Sequence, residues 1–174
     1  MIPLFSLLPK RCAFCGKVIE ADSLMCRNCE KSVSRIEKEI CKKCGREKEL
    51  CSCKKSANYY NGIAAPFYFE GVVRSGMHRF KFRKSPRNAE AYSVEMASTV
   101  KQRFKDVTFD FITEIPMTKK SIKKRGYNQC SLLAKGVSEK LDVEHKENFL
   151  IKIQIKTLQC DKRDNRKFLP VRKI

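Results

Sequence analysis

The sequence predicts an α/β protein in two parts. A small cysteine-rich module stapled by metal occupies residues 1–56, and one α/β domain with a mainly parallel sheet occupies residues 57–174. Two observations predict this. Eight of the ten cysteines fall in the first third of the chain, in two sets of four. Beyond them, apolar segments follow in the order strand, helix, strand, loop, helix, the pattern of crossover-connected parallel strands.

The module comes first. Cys12-x2-Cys15 is followed by Cys26-x2-Cys29, and Cys41-x2-Cys44 by Cys51-x-Cys53. Two sulfurs on one short knuckle and two from a second supply four thiolates for a tetrahedral Zn²⁺. Gly16 and Gly45 directly follow the second cysteine of their knuckles, where the backbone turns back and favours positive φ. The pattern predicts a double zinc-ribbon module holding two structural zinc ions. A disulfide framework would suit a small secreted chain. However, Met1–Leu8 has no basic segment before it and no small-residue cleavage site after it. A redox CxxC expects a βαβ setting that these segments lack. A closed four-thiolate site leaves no position for substrate, so the metal holds structure and performs no chemistry.

The boundary is placed in the polar stretch from Lys54 to Asn61. Ile63–Phe69 is aromatic and apolar but contains Pro66, which predicts an edge strand. Val73, Met77 and Phe80 recur at near-helical spacing. Ser85-Pro86 suits a helix start, and Ala89, Tyr92, Met96, Val100 and Phe104 predict an amphipathic helix from Pro86 to about Lys105. Phe109–Ile115, closed by Pro116, predicts a buried strand. A lysine-dense loop runs from there to Gly126, and Leu132, Leu133, Val137 and Leu141 predict a helix from about Asn128 to Lys140. Cys130 and Cys160 read as small buried hydrophobes. His78 and His145 have no partner motif.

Charge narrows the partners. Lys and Arg number 38 against 19 Asp and Glu, a net charge of +19. Arg74–Arg87 carries six Lys/Arg and no acid. Lys119, Lys120, Lys123, Lys124 and Arg125 form a second cluster, and residues 162–173 a third. Such clusters attract nucleic acid, acidic lipid or phosphorylated small molecules. Lys81, between Phe80 and Phe82, joins charge to a stacking surface, as single-strand sites do; it also fits a surface lysine snorkelling from a core helix. In the basic loop, Lys119, Lys120, Lys123 and Arg125 offer charge and a planar fork to phosphate oxygens. Gly126 permits close backbone approach, and Asn128 and Gln129 stand at a helix start. An ordinary solvated loop accounts for the same composition. No apolar run is long enough to span a bilayer, and free cysteines in metal-type spacing fit a cytoplasmic, reducing location.

Taken in order, these features resemble the ComF family of competence proteins, which resemble type I phosphoribosyltransferases preceded by a zinc ribbon. The resemblance rests on the paired knuckles, Phe67–Gly71 (FYFEG), His78–Arg83 (HRFKFR) with Lys81 in a Lys-aromatic pair, and Asp110–Gln129. It is most specific at Arg125-Gly126-Tyr127-Asn128-Gln129. Lys156–Gln159 (KTLQ), Arg163 and Asn165 extend it. The resemblance implies a role in natural transformation, handling incoming single-stranded DNA, with other competence or DNA-translocation proteins as partners. It also implies a second reading, phosphoribosyl transfer from phosphoribosyl pyrophosphate (PRPP) with Mg²⁺. In the family, two adjacent acids and a Thr-Thr-Gly-rich PRPP loop come next. Here Asp161 and Asp164 are flanked by Lys and Arg, and no glycine follows Gly136. The phosphoribosyltransferase-like domain is therefore expected to be incomplete, lacking its C-terminal part, and to be inactive in phosphoribosyl transfer. A third reading is a zinc-stabilised adaptor that docks through its basic faces.

Overall fold

The computed structural model describes residues 9–41, 43–53, 60–152 and 171–173. Five helices carry the architecture: α1 (Arg27–Ser32), α2 (Gly71–Phe82), α3 (Asn88–Arg103), α4 (Lys119–Arg125) and α5 (Gln129–Leu141). Two three-residue strands, β1 (Leu150–Lys152) and β2 (Val171–Lys173), pair antiparallel.

The core lies between the first knuckle and the helices. Phe14 and Phe80 are fully buried, with Cys12, Ala13, Cys29, Val73, Ala89, Ala91 and Tyr92 around them. Phe14 packs edge-on against Phe67 and Tyr92, with ring centroids 5.6 and 5.3 Å apart. Asn88 Nδ2 and the Tyr92 hydroxyl both donate to the Ala13 carbonyl, at 3.0 and 3.3 Å. These bonds satisfy a buried backbone acceptor that would otherwise be costly. The expected helices over 86–105 and 128–140 form close to their expected bounds, and the apolar stripe at Val73 and Phe80 is the buried face of α2. α5 crosses α3 closely: a Cβ on Gly136 would lie 2.5 Å from Ser93 Oγ.

The linker between the two ribbons is tied to α3. The Arg35 guanidinium makes a two-pronged ion pair with Glu95, and Arg103 donates to the Ile36 carbonyl at 2.8 Å. Arg35 also lies over the Phe67 ring, 5.3 Å from its centroid.

Three expectations are corrected. Ile63–Phe69 is no strand; it makes a single antiparallel bridge, Arg35 with Phe67. Its backbone groups bond to the ribbon linker instead, Ile36 N–H to Pro66 O and Tyr68 N–H to Ser34 O. Phe109–Ile115 is not a buried strand. It makes one parallel bridge, Ile112 with His145, and Ile115 is 71% exposed while Glu114 points inward. Glu114 takes the inward position, held by His145 and the Asn148 N–H, and Ile115 is left outside. The lysine-dense loop is helix α4. Thr118 caps it by accepting from Ser121 N–H at 3.2 Å, and Gly126 ends it at φ 90°. Lys123, Lys124 and Arg125 in its last turn suit the helix dipole. Among the described residues the mainly parallel sheet is absent. The nearest approach to it is the Ile112–His145 contact, in which Ile112 N–H donates to Glu144 O at 2.8 Å and Lys146 N–H to Ile112 O at 2.9 Å. Lys156–Gln159, Arg163, Asn165, Cys160 and the basic residues at 162, 163, 166 and 167 lie outside the described residues.

Candidate metal centres and basic face

The two knuckles fold alike because the same local sequence closes each. Gly16 N–H donates to Cys12 O and Gly45 N–H to Cys41 O, both at 2.9 Å. Cys12 N–H bonds Lys17 O at 2.8 Å, and Cys41 N–H bonds Arg46 O at 2.7 Å. Both glycines have positive φ, 80° and 71°, so the turn favours residues without a Cβ.

Each turn gathers four sulfurs. Cys12, Cys15, Cys26 and Cys29 form one group, and Cys41, Cys44, Cys51 and Cys53 the other, with all ligand atoms of a group within 4.8 Å of one another. Cys15 Sγ and Cys26 Sγ are 3.7 Å apart, and Cys44 Sγ and Cys51 Sγ 3.8 Å. A tetrahedral site with Zn–S of about 2.3 Å has edges of about 3.8 Å. The spacing fits metal and is far beyond the roughly 2.05 Å of a disulfide. All eight sulfurs are free thiols. The donor set therefore fits two structural zinc ions.

Without metal, each group contains one thiol poised to ionise. Burial alone would raise Cys12, yet backbone N–H groups of Cys15, Cys26 and Phe14 bring it down to about 6. The Cys44 N–H, the Cys51 thiol and the Lys43 N–H do the same for Cys41, to about 6. Hydrogen bonds with the Cys44 and Cys51 thiols push Cys53 up to about 12, and burial pushes Cys29 up. N–H groups aimed at sulfur are the outer-shell contacts that orient metal thiolates. The first centre also has a cation close by. The Arg79 guanidinium from α2 occupies the space that a Cβ on Gly16 would take. A cation one residue from a ligand opposes the net negative charge of a four-thiolate zinc site.

The two centres differ in setting. Cys12 and Cys29 belong to the protein core, whereas Cys53 is exposed and its three companions are half-buried.

Residues 4–59 match the family model of the double zinc ribbon domain. Over 127 residues the chain is 24% identical to competence protein ComFC of Bacillus subtilis (strain 168), covering 67% of this chain and 52% of that relative. The chain is ComF-like. It spans about half the length of that relative. No solved structure matches it. No helix among the described residues is long and apolar enough to cross a membrane.

The ComF-like chain places its basic residues on two neighbouring helices. Lys119, Lys120, Lys123 and Lys124 are exposed on α4. Arg125 is held: its Nη1 donates to Gln129 Oε1 and lies 3.5 Å from Met117 Sδ, and its Cζ sits 5.6 Å from the Phe82 ring centroid. Asn128 caps α5, its Oδ1 accepting from the N–H groups of Cys130 and Ser131 at 3.1 and 3.4 Å. Gly126 faces open space. The Tyr127 hydroxyl donates to the Phe80 carbonyl and fixes the α4–α5 junction to α2. Lys81 is half-buried. Burial raises the Cys130 thiol, and Lys81 and Arg125 both lie near enough to pull it back. Arg125 thus meets Gln129 at the start of α5.

The pairing of His145 with Glu114 was not legible in the sequence. His145 Nε2 lies 3.1 Å from Glu114 Oε2, and Asn148 N–H donates to Glu114 Oε1 at 2.9 Å. Glu114, between Thr113 and Ile115 at the end of the run Phe109–Ile115, was the available signal. Burial alone would raise Glu114, but the Asn148 and Glu114 N–H groups and His145 hold it below its ordinary 4.5. A depressed carboxylate contributes stability above its unfolded pKa and loses it as pH falls through the folded one. Glu114→Gln is expected to cost about 1–2 kcal/mol at neutral pH. Urea titrations should show the gap from the unsubstituted protein narrowing below about pH 4.5.

Proposed function

We propose that this ComF-like chain is an accessory of natural transformation that handles incoming single-stranded DNA in the cytoplasm. The observation that carries the reading is Phe82. Its ring is 62% exposed, lies 4.8 Å from the His78 ring and is covered on one side by Arg125. The basic residues of α2 and α4 stand on either side of it in the sequence. An exposed aromatic beside cations is how single-strand sites stack a base and hold its phosphates without reading sequence. The net charge of +19 supplies the long-range attraction. The competence relative supports the biological setting.

The test is fluorescence anisotropy with labelled single-stranded oligonucleotides of several sequences across a salt series. Affinity should be nearly independent of sequence and fall steeply with salt, with a log–log slope of about −0.7 per phosphate contacted. Phe82→Ala should cost about 1–3 kcal/mol of binding with the slope kept. Replacing Lys119, Lys120 and Lys123 with Ala should flatten the slope instead. Affinity indifferent to salt would rule the reading out.

A second reading, phosphoribosyl transfer, is supported by the parallel Ile112–His145 contact. The chain between these segments forms α4 and α5, a crossover of the kind that joins parallel strands. In such folds ligands sit beyond the carboxyl end of the strand. Residues 1–174 hold no acidic pair with a Gly/Thr-rich loop for ribose 5-phosphate. Weak, salt-sensitive PRPP binding with Mg²⁺ and no transfer are therefore expected, by isothermal titration and by product assay. Tight binding at one site per chain would favour this reading over the first, and binding of neither DNA nor PRPP would favour the adaptor.

A further inference from the structure

A cleft of about 780 Å³ opens between the first zinc knuckle and the start of α3. Its size is within the roughly 300–1,000 Å³ of ligand clefts. Its charge is one-sided. Lys10 and Arg11 come from the knuckle side and Lys84 and Arg87 from the α2–α3 turn, against one acid, Glu90. Lys10 Nζ pairs with Glu90 at 3.9 Å and Arg11 Nη1 donates to the Gly16 carbonyl at 3.2 Å, and the four cations still outnumber the one acid. Leu24, Pro86 and Ala91 give the wall an apolar part, and no aromatic lines it. The first turn of α3 offers no free donors, because Asn88, Ala89 and Glu90 N–H bond to Ser85, Pro86 and Arg87 carbonyls. An anion held here would be held by side-chain cations alone.

Lys84 stands at the bend between α2 and α3. It adopts φ 48°, in the left-handed region unusual for a residue with a Cβ. It sits just past Arg83, the C-cap of α2, where a left-handed residue ends the helix and sets the turn into α3.

We propose that this cleft binds the phosphodiester backbone of single-stranded nucleic acid, as a subsite adjoining Phe82 two residues earlier in the chain. The proposal rests on the DNA-handling reading and assigns it a second surface. Four cations without a stacking ring favour phosphates over bases, so the subsite adds affinity and salt dependence and no sequence preference.

The test compares the full chain with the double variant Lys10→Ala, Lys84→Gly, using an oligonucleotide of about 20 nucleotides in a salt series. Lys84→Gly removes a charge and also relieves the positive φ, so the thermal melt should hold or rise. Binding should weaken about five- to tenfold at low salt, and the log–log slope should shrink by about 1.4, at 0.7 per lost contact. Unchanged affinity and slope in the double variant, while Phe82→Ala still weakens binding, would overturn the cleft and leave the DNA-handling reading standing. Loss of binding in the double variant with a lowered melt would also count against it, as damage to the fold. An unsubstituted chain that binds anionic lipid vesicles but no oligonucleotide would overturn both.

Discussion

Cys12→Ser and Cys29→Ser are each expected to abolish cooperative folding of the helical layer, whereas Cys53→Ser should leave it standing. Cys12 and Cys29 are buried beside Phe14 in the same cluster that packs α2 and α3. Structural zinc in small modules contributes about 10–16 kcal/mol of apparent binding energy, comparable with or above the whole 5–15 kcal/mol stability of a domain. Losing it from the core removes the surface on which Val73, Phe80, Ala91 and Tyr92 are buried. The second centre lies outside that cluster, with Cys53 exposed and the other three sulfurs half-buried, and loss there should unravel only its own ribbon. Circular dichroism at 222 nm should drop sharply for the first two variants and little for the third. Equal loss in all three would contradict the assignment of the core to the first knuckle.

Gly76→Ala is the next largest expected effect, and its sign is informative. In an exposed helix the change would stabilise by up to about 1 kcal/mol through helix propensity. Here a Cβ on Gly76 would lie 2.8 Å from Phe14 Cα and 3.0 Å from Ala13 O, with the Tyr92 hydroxyl also in its way. Backbone atoms cannot swing aside as a side chain can, so α2 must move off the knuckle. A cost of about 2–3 kcal/mol is expected. Ser75→Ala, one residue along on the exposed face, should stay within about 0.5 kcal/mol. Chemical denaturation of the two variants gives the comparison, and a more stable Gly76→Ala protein would mean that α2 does not rest on Phe14.

What the sequence disclosed follows from how local each signal is. The knuckles need only residues a few positions apart, and both sets of four sulfurs come together as the spacing predicts. Three helices were legible because Val73 and Phe80, Ala89 and Tyr92, and Leu133 and Val137 recur at helical intervals, with all but the half-buried Leu133 on buried faces. Helix α4 was not, because a run of lysines has no apolar stripe; Thr118 and Gly126, its caps, were the overlooked signal. Strands depend on partners distant in sequence. Phe67 finds the ribbon linker and Ile112 finds His145, and neither pairing leaves a local mark. The basic residues were legible as clusters. The division of Arg125 to Gln129 and Phe82, and of Lys84 to the cleft, is a product of tertiary packing.

The most direct measurement is stepwise removal of metal from the purified, reduced chain with a chelator, following zinc released and helical signal together. Two zinc ions per chain are expected. The first should leave from Cys41, Cys44, Cys51 and Cys53 with little change in helix content. The second, from Cys12, Cys15, Cys26 and Cys29, should leave with cooperative loss of α2 and α3. Fewer than two zinc ions per chain, or complete metal loss with the helices intact, would contradict a fold built on its first zinc knuckle.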